Sequence, residues 1–238
     1  DANIFMDNFN GQIVNTDPYG WFIQGKGGDV NITDKSLEGD RAMVIDGNAT
    51  VINSTHIFAA QDTPLHFQFL VNHTSGTGWA KIEIKDSYNN TYAGISMHDN
   101  YFWNGITSFA PYSPGKVYKV RIDLTPGKDR YNVSINDTWY GRNLPVQTAG
   151  LKNAGQIRFS TSTANIRYII DDVKIWVNKT SCDGSGNSGR HMIVMSDGSP
   201  NELCGVSTKR DSGWDAINAS CKAKNIYNIT VHAIAFGN

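Results

Sequence analysis

Catalysis by general acid and base needs paired carboxylates or a positioned histidine, and this sequence is poor in both. It holds three glutamates, Glu38, Glu83 and Glu202, and six dispersed histidines. Glu83 stands between Ile82 and Ile84 with no carboxylate two residues on, so the strand-borne acid/base pair of a jelly-roll glycosidase is missing. No Gly-x-Ser-x-Gly elbow and no phosphate-cradling glycine loop is found. The expectation is a protein without enzymatic activity. A different chemistry is abundant. Ten Asn-x-Ser/Thr triplets occur, at Asn31, Asn48, Asn53, Asn72, Asn89, Asn132, Asn136, Asn178, Asn218 and Asn228, none with proline in the middle. With 24 Asn and 35 Ser or Thr in 238 residues, chance would give roughly 3–4 such acceptors of N-linked glycan. This surplus points to an extracellular, N-glycosylated cell surface.

Two further sets of residues could do chemistry. Tyr101, Phe102, Trp103, Phe109 and Tyr112 crowd one segment beside Asn100 and Asn104. Exposed rings there, Tyr101 and Trp103 above all, would make a platform on which sugars stack; buried rings would belong to a core. Three cysteines lie in the last quarter with no zinc-site spacing. In an oxidising compartment Cys204 and Cys221 are the expected disulfide, and Cys182 is either free or bonded to a partner outside this chain.

The elements that must hold these residues have a period of two up to about residue 177. Leu65, Phe67, Phe69 and Val71 alternate with polar neighbours, as do Tyr118, Val120, Ile122 and Leu124, and Tyr131, Val133 and Ile135. One apolar and one wet face per strand predicts antiparallel sheets. Turn pairs separate the runs, among them Asn10-Gly11, Asp46-Gly47, Pro114-Gly115 and Pro126-Gly127. About a dozen strands are predicted, in a mainly β, two-sheet jelly-roll sandwich over 1–177. Asn132 and Asn136 fall between the apolar positions of their run, on its wet side.

A Gly/Ser linker over 178–189 follows, and then the pattern becomes α/β. His191–Ser196 and Ile229–Phe236 are continuous apolar runs, as in strands buried on both faces, with a helical face of Trp214, Ile217 and Cys221 between them. A strand–helix–strand crossover with parallel strands is expected in 190–238.

The run Lys116-Val-Tyr-Lys-Val-Arg-Ile-Asp-Leu124, a Pro-Gly turn and Arg130-Tyr-Asn-Val-Ser-Ile-Asn136 resemble the central hairpin of laminin-G-like or concanavalin-like jelly rolls. Ile4-Phe-Met-Asp-Asn-Phe9 and Ile170-Asp-Asp-Val-Lys-Ile-Trp176 resemble that superfamily's first and last strands. The resemblance implies that these two strands pair, so that Asp7, Asn8, Asp171 and Asp172 converge as a structural calcium site; the alternative is ordinary strand-end polar residues.

Met192-Ile-Val-Met-Ser-Asp-Gly198 and Ala223-Lys-Asn-Ile-Tyr-Asn-Ile-Thr-Val-His-Ala-Ile-Ala-Phe-Gly237 resemble the C-terminal part of a von Willebrand factor type A domain. That resemblance makes Asp197 a ligand of Ca²⁺ or Mg²⁺, directly or through water. The family's Asp-x-Ser-x-Ser motif is absent; Asp183-Gly-Ser-Gly-Asn187 imitates it but lies in the linker, 14 residues before Asp197. The remainder of the type A domain is expected outside this chain, with the jelly roll inserted in it.

Net charge is −1, with no basic run longer than Lys209–Arg210, which excludes an electrostatic case for nucleic acid. No stretch approaches the ~20 apolar residues of a membrane-spanning helix. The predicted function is adhesion or extracellular assembly as a filament or cell coat, with other surface subunits or glycans as partners. The alternative is a carbohydrate-binding module of a larger secreted protein.

Overall fold

A computed structural model describes residues 2–48, 50–162 and 165–178, together with two strands further on, Arg190–Ser196 and Ile229–Ala235. The chain divides into two units, Asp1–Lys179 and Thr180–Asn238.

The first unit is built from fifteen strands: β1 (Ala2–Asp7), β2 (Phe22–Gly25), β3 (Asp29–Thr33), β4 (Ala42–Asp46), β5 (Ile52–Gln61), β6 (Leu65–Gly76), β7 (Ala80–Lys85), β8 (Thr91–His98), β9 (Tyr101–Trp103), β10 (Ser108–Pro111), β11 (Val117–Leu124), β12 (Arg130–Ile135), β13 (Thr138–Pro145), β14 (Ala154–Thr161) and β15 (Ile166–Val177). One sheet runs β13-β12-β11-β6-β15-β4-β3, with β1 also on β15; the other runs β10-β9-β8-β7-β14-β5-β2. Every pairing in both sheets is antiparallel. No helix occurs among the described residues.

The alternation read from the sequence decides which side chains meet. Phe67, Phe69 and Val71 of β6, with Val120 and Ile122 of β11, share one buried cluster with Ile82 and Ile84 of β7 and Ile157 and Phe159 of β14. The two sheets therefore close on a single apolar layer, as a sandwich must. The intervening residues of β6, His66, Gln68, Leu70 and Asn72, fall on the outer face. A smaller cluster on that outer face, Ala42, Val44 and Ile169, is covered by Leu37 from the β3–β4 loop.

The turn chemistry matches its residues. At Thr125–Lys128, Lys128 N–H donates to Thr125 O at 3.0 Å across Pro126-Gly127, with Gly127 at φ 82°. Pro fixes the first corner, and the second needs the left-handed backbone that glycine adopts without strain. Asn136 and Asp137 both have positive φ, 47° and 64°, and form the two-residue loop of the β12–β13 hairpin.

β15 pairs with β4 through Arg167–Ile170 and with β1 through Val173–Val177, so these two strands share one edge of it. Between them the register shifts, and Asp172 takes φ 47°. The first and last strands of the sandwich do pair, placing Ala2 opposite Val177. The ends of the sandwich are adjacent.

In the second unit β16 (Arg190–Ser196) and β17 (Ile229–Ala235) pair in parallel, Arg190 opposite Ile229 and Ser196 opposite Ala235. The parallel pairing expected of a crossover is present. The helix expected between these strands falls outside the described residues, as do Asp197, Cys182, Cys204, Cys221, Asn218 and Asn228.

Candidate functional site

A cleft of about 510 Å³ opens on the outer face of the seven-stranded sheet, lined by Trp79, Lys81, Glu83, Ser96, Asn104 and Gln147, with Ile95, Gly105, Ile106, Pro145 and Val146. Its floor follows from strand alternation. Ala80, Ile82 and Ile84 of β7 point into the core, which turns Lys81 and Glu83 outward. On the neighbouring β8, Ser96 stands opposite Lys81 and Gly94 opposite Glu83. Gly94 keeps the floor low: a Cβ there would lie 2.8 Å from Ile82 O and 3.4 Å from Gln147 Nε2. Gln147 is carried over the floor by a loop whose backbone is tied down, Gln147 N–H donating to Tyr92 O at 2.9 Å.

The aromatic wall is Trp79, immediately before β7. Its backbone N–H donates to Ser162 Oγ at 2.9 Å and its carbonyl accepts from Ser162 N–H at 3.1 Å. The His98 ring stacks on the indole with centroids 4.2 Å apart and planes 20° apart, and Trp103 leans on it at 6.0 Å. His98 is itself anchored by Asp99 at 3.1 Å from Nε2 and by Trp103 Nε1, which donates to its carbonyl at 3.1 Å. Trp79 is thus a half-buried ring held in one orientation, with its remaining surface on the cleft.

The charges beside the cleft are linked. Lys85 Nζ donates to Thr91 Oγ1 at 2.6 Å, Thr91 Oγ1 donates to Glu83 Oε1 at 2.9 Å, and Lys85 Nζ lies 3.8 Å from the same oxygen. Burial holds the Lys85 ammonium below its ordinary value, with Glu83 working against that shift and Arg158 adding to it. Arg158, opposite Glu83 on β14, gives Nε to Thr55 Oγ1 at 3.1 Å and a terminal nitrogen to Asn89 Oδ1 at 2.6 Å.

The aromatic segment expected from the sequence divides. Phe102 and Tyr112 are core residues, and Phe109 packs against that core; burial pushes the Tyr112 phenol up to about 12. Tyr101 is 46% exposed but outside the cleft lining, and Trp103 supports Trp79 rather than lining the cleft itself. The ring that lines the cleft is Trp79, which sequence reasoning passed over. The available signal was a lone tryptophan between a Gly-rich turn and a strand whose wet positions are Lys81 and Glu83.

The acidic set is corrected in its geometry. Asp7 and Asp171 do not converge. Asp7 accepts from Trp21 Nε1 at 2.9 Å, Gln12 Nε2 at 3.0 Å and Phe9 N–H at 2.9 Å, on the main core side. Asp171 accepts from Leu37 and Glu38 N–H, both at 3.1 Å, and from Asp172 N–H at 2.8 Å, under the loop that covers the outer cluster. The register shift in β15 separates the two carboxylates onto different faces. Asn8 accepts from Asn10 N–H at 3.3 Å. Among the described residues no group of three His, Cys, Asp or Glu could hold a metal ion.

The eight asparagines of Asn-x-Ser/Thr triplets within the described residues are all exposed or half-buried. Asn31, Asn72 and Asn132 sit at outward positions of the eight-stranded sheet, Asn53 on the cleft-side sheet, and Asn48, Asn89 and Asn136 in turns; Asn178 follows β15.

The outer face of the eight-stranded sheet carries a second cluster. Arg121 lies between Trp139 and Trp176, 5.8 Å and 5.3 Å from their centroids, and donates to Asp123 at 2.8 Å; His66 Nδ1 is 2.7 Å from the same carboxylate. Burial alone would raise Asp123, but the hydrogen bonds and charges of His66 and Arg121 hold it below the ordinary aspartate value. A carboxylate depressed on folding contributes stability that is present above its unfolded pKa, about 4, and lost as pH falls through the folded value. Thermal midpoints measured from pH 7 down to pH 2 are expected to fall less steeply below about pH 4 in Asp123→Asn than in the wild type. The variant is expected to be the less stable of the two at pH 7.

No known family's sequence profile matches the chain, and no curated protein sequence matches it. Solved structures do. A sialidase superposes over 74% of this chain and 19% of its own, at 15% identity and a TM-score of 0.61. The T. cruzi calreticulin globular domain superposes over 74% of this chain and 88% of its own, at 11% identity and a TM-score of 0.53. The chain thus spans about a fifth of that sialidase, 19%. Likeness at such identities shows fold alone, and the fold is a two-sheet, jelly-roll β-sandwich.

Proposed function

We propose that the sandwich is a non-catalytic glycan-binding module of an extracellular, N-glycosylated surface protein that serves adhesion or assembly. The observation that carries this reading is the cleft: one fixed indole beside Lys81, Glu83, Ser96, Asn104 and Gln147. A pyranose has an apolar C–H face that stacks on an indole and an equatorial ring of hydroxyls that needs donors and acceptors around it. The cleft supplies both, at a volume suited to a few sugar units. Binding without turnover is supported by the lining, in which Glu83 is the one carboxylate among the described residues. Glycoside hydrolysis ordinarily uses two.

The surface reading draws support from acceptors that are at least partly accessible at all eight described positions. Occupancy would appear as mass lost on enzymatic deglycosylation. The laminin-G-like assignment is supported by the β11–β12 hairpin and by the β1–β15 pairing. The parallel β16–β17 pair supports reading 190–238 as part of a von Willebrand factor type A domain; Asp197 as a ligand of Ca²⁺ or Mg²⁺ and a Cys204–Cys221 disulfide are proposed from the sequence alone.

The test is a glycan array probed with the full chain, followed by calorimetric titration of the hits. Saturable binding to one class of oligosaccharide, with the sugar recovered uncleaved, is expected. An array without hits sinks the glycan-binding reading, and recovery of cleaved sugar sinks the non-catalytic one.

A further inference from the structure

We infer that the cleft selects sugars bearing a carboxylate, with Lys81 as the residue that reads the charge; this rests on the glycan-binding reading above. Along β7 and β14 the outward charged positions are Lys81, Glu83, Lys85 and Arg158. Glu83 is already engaged: Thr91 donates to its Oε1 at 2.9 Å and the Lys85 ammonium lies 3.8 Å from that oxygen. Arg158 lies outside the cleft lining and gives two of its donors to the neutral oxygens of Thr55 and Asn89. Lys81 lines the cleft, is exposed, and makes no ion pair among the described residues.

Of the three outward cations, Lys81 is the one that lines the cleft, and it has no counter-charge among the described residues. Lys81 stands two residues after Trp79 and directly opposite Ser96. A pyranose lying on the indole would meet that ammonium with its ring substituents, and the neighbouring groups, Ser96, Asn104 and Gln147, are neutral hydrogen-bonding residues suited to hydroxyls. A neutral sugar would leave the Lys81 charge unanswered. A sugar carboxylate would pair with it in a walled cleft, where screening by water is weaker than on an open surface. The shared ligand chemistry is a carboxylate on a pyranose, which hexuronic acids and sialic acids both supply.

The experiment uses the full chain and ligand pairs that differ in the carboxylate. One pair is an oligogalacturonate and its carboxyl-reduced counterpart; the other is sialyllactose and lactose. The acidic member of at least one pair is expected to bind about tenfold more tightly at low salt, and its advantage to shrink as ionic strength rises. Which pair shows the preference identifies the source of the carboxylate. Lys81→Gln is expected to bring the affinity ratio toward one, and Lys81→Arg to keep most of it. Equal binding within both pairs, or a ratio unmoved by Lys81→Gln, overturns the inference and leaves glycan binding standing. Failure of all four sugars, with no other array hit, overturns both.

Discussion

Trp79→Ala is expected to weaken binding of any oligosaccharide in the cleft by roughly 30-fold or more, since a central aromatic anchor typically contributes 2 kcal/mol or more. The loss follows from the way the ring is held. His98 covers part of the indole at 4.2 Å, Trp103 leans against it, and Ser162 fixes its backbone on both sides. A ring already in place loses little entropy when a sugar stacks on it, so removing it costs both contact area and preorganisation. Stability should change little by comparison, because Trp79 is outside the main buried cluster. Tyr101→Ala is the matching control: that ring is 46% exposed on the same sheet but away from the cleft lining. Titration calorimetry with both variants, beside their thermal midpoints, decides the matter. Loss of affinity in Tyr101→Ala with retention in Trp79→Ala would place the site on β9 instead.

The frame was legible because a strand's period of two leaves a direct trace in the residues. Phe67, Phe69 and Val71 point inward in the sheet as their spacing requires, and Pro126-Gly127 makes the turn that its residue types dictate. The pairing of first and last strands also holds, Asp7 opposite Val173. What the sequence hid was register and face. Asp171 and Asp172 are adjacent in sequence, and a single bulge turns Asp171 under the β3–β4 loop while Asp7 faces Trp21. A one-residue shift flips every side chain beyond it, and no local composition announces it. The aromatic cleft was hidden for a similar reason. Tyr101, Phe102 and Trp103 are consecutive and alternate between faces, so the crowd of rings could not all be a platform. Trp79 is isolated in sequence and becomes part of a site only when β9 and the loop at Gln147 arrive beside it.

Phe159→Ala is expected to do the reverse of Trp79→Ala, removing stability and sparing affinity. Phe159 is fully buried on β14, opposite Ile82 of β7 and Ser54 of β5. It meets Phe69 of the facing sheet edge-on at 5.4 Å and 82°, and Trp21 at 5.5 Å. It therefore joins both sheets and the β1–β2 segment at one point. Truncation leaves a cavity that strands paired on both sides cannot close, which typically costs about 3–5 kcal/mol. Against a stability of about 5–15 kcal/mol that is a large fraction, and the midpoint of the sandwich should fall by roughly 10 °C. The cleft lies on the other face of the same sheet. Lys81 and Glu83 alternate with Ile82, so their outward positions depend on the strand pairing rather than on the phenyl ring beneath. Well below the new midpoint, oligosaccharide affinity should stay within about twofold of wild type, the additivity expected of sites that share no partner. A variant that lost affinity in proportion to stability would show that the cleft is not held by the sheet's backbone but by the packing under it.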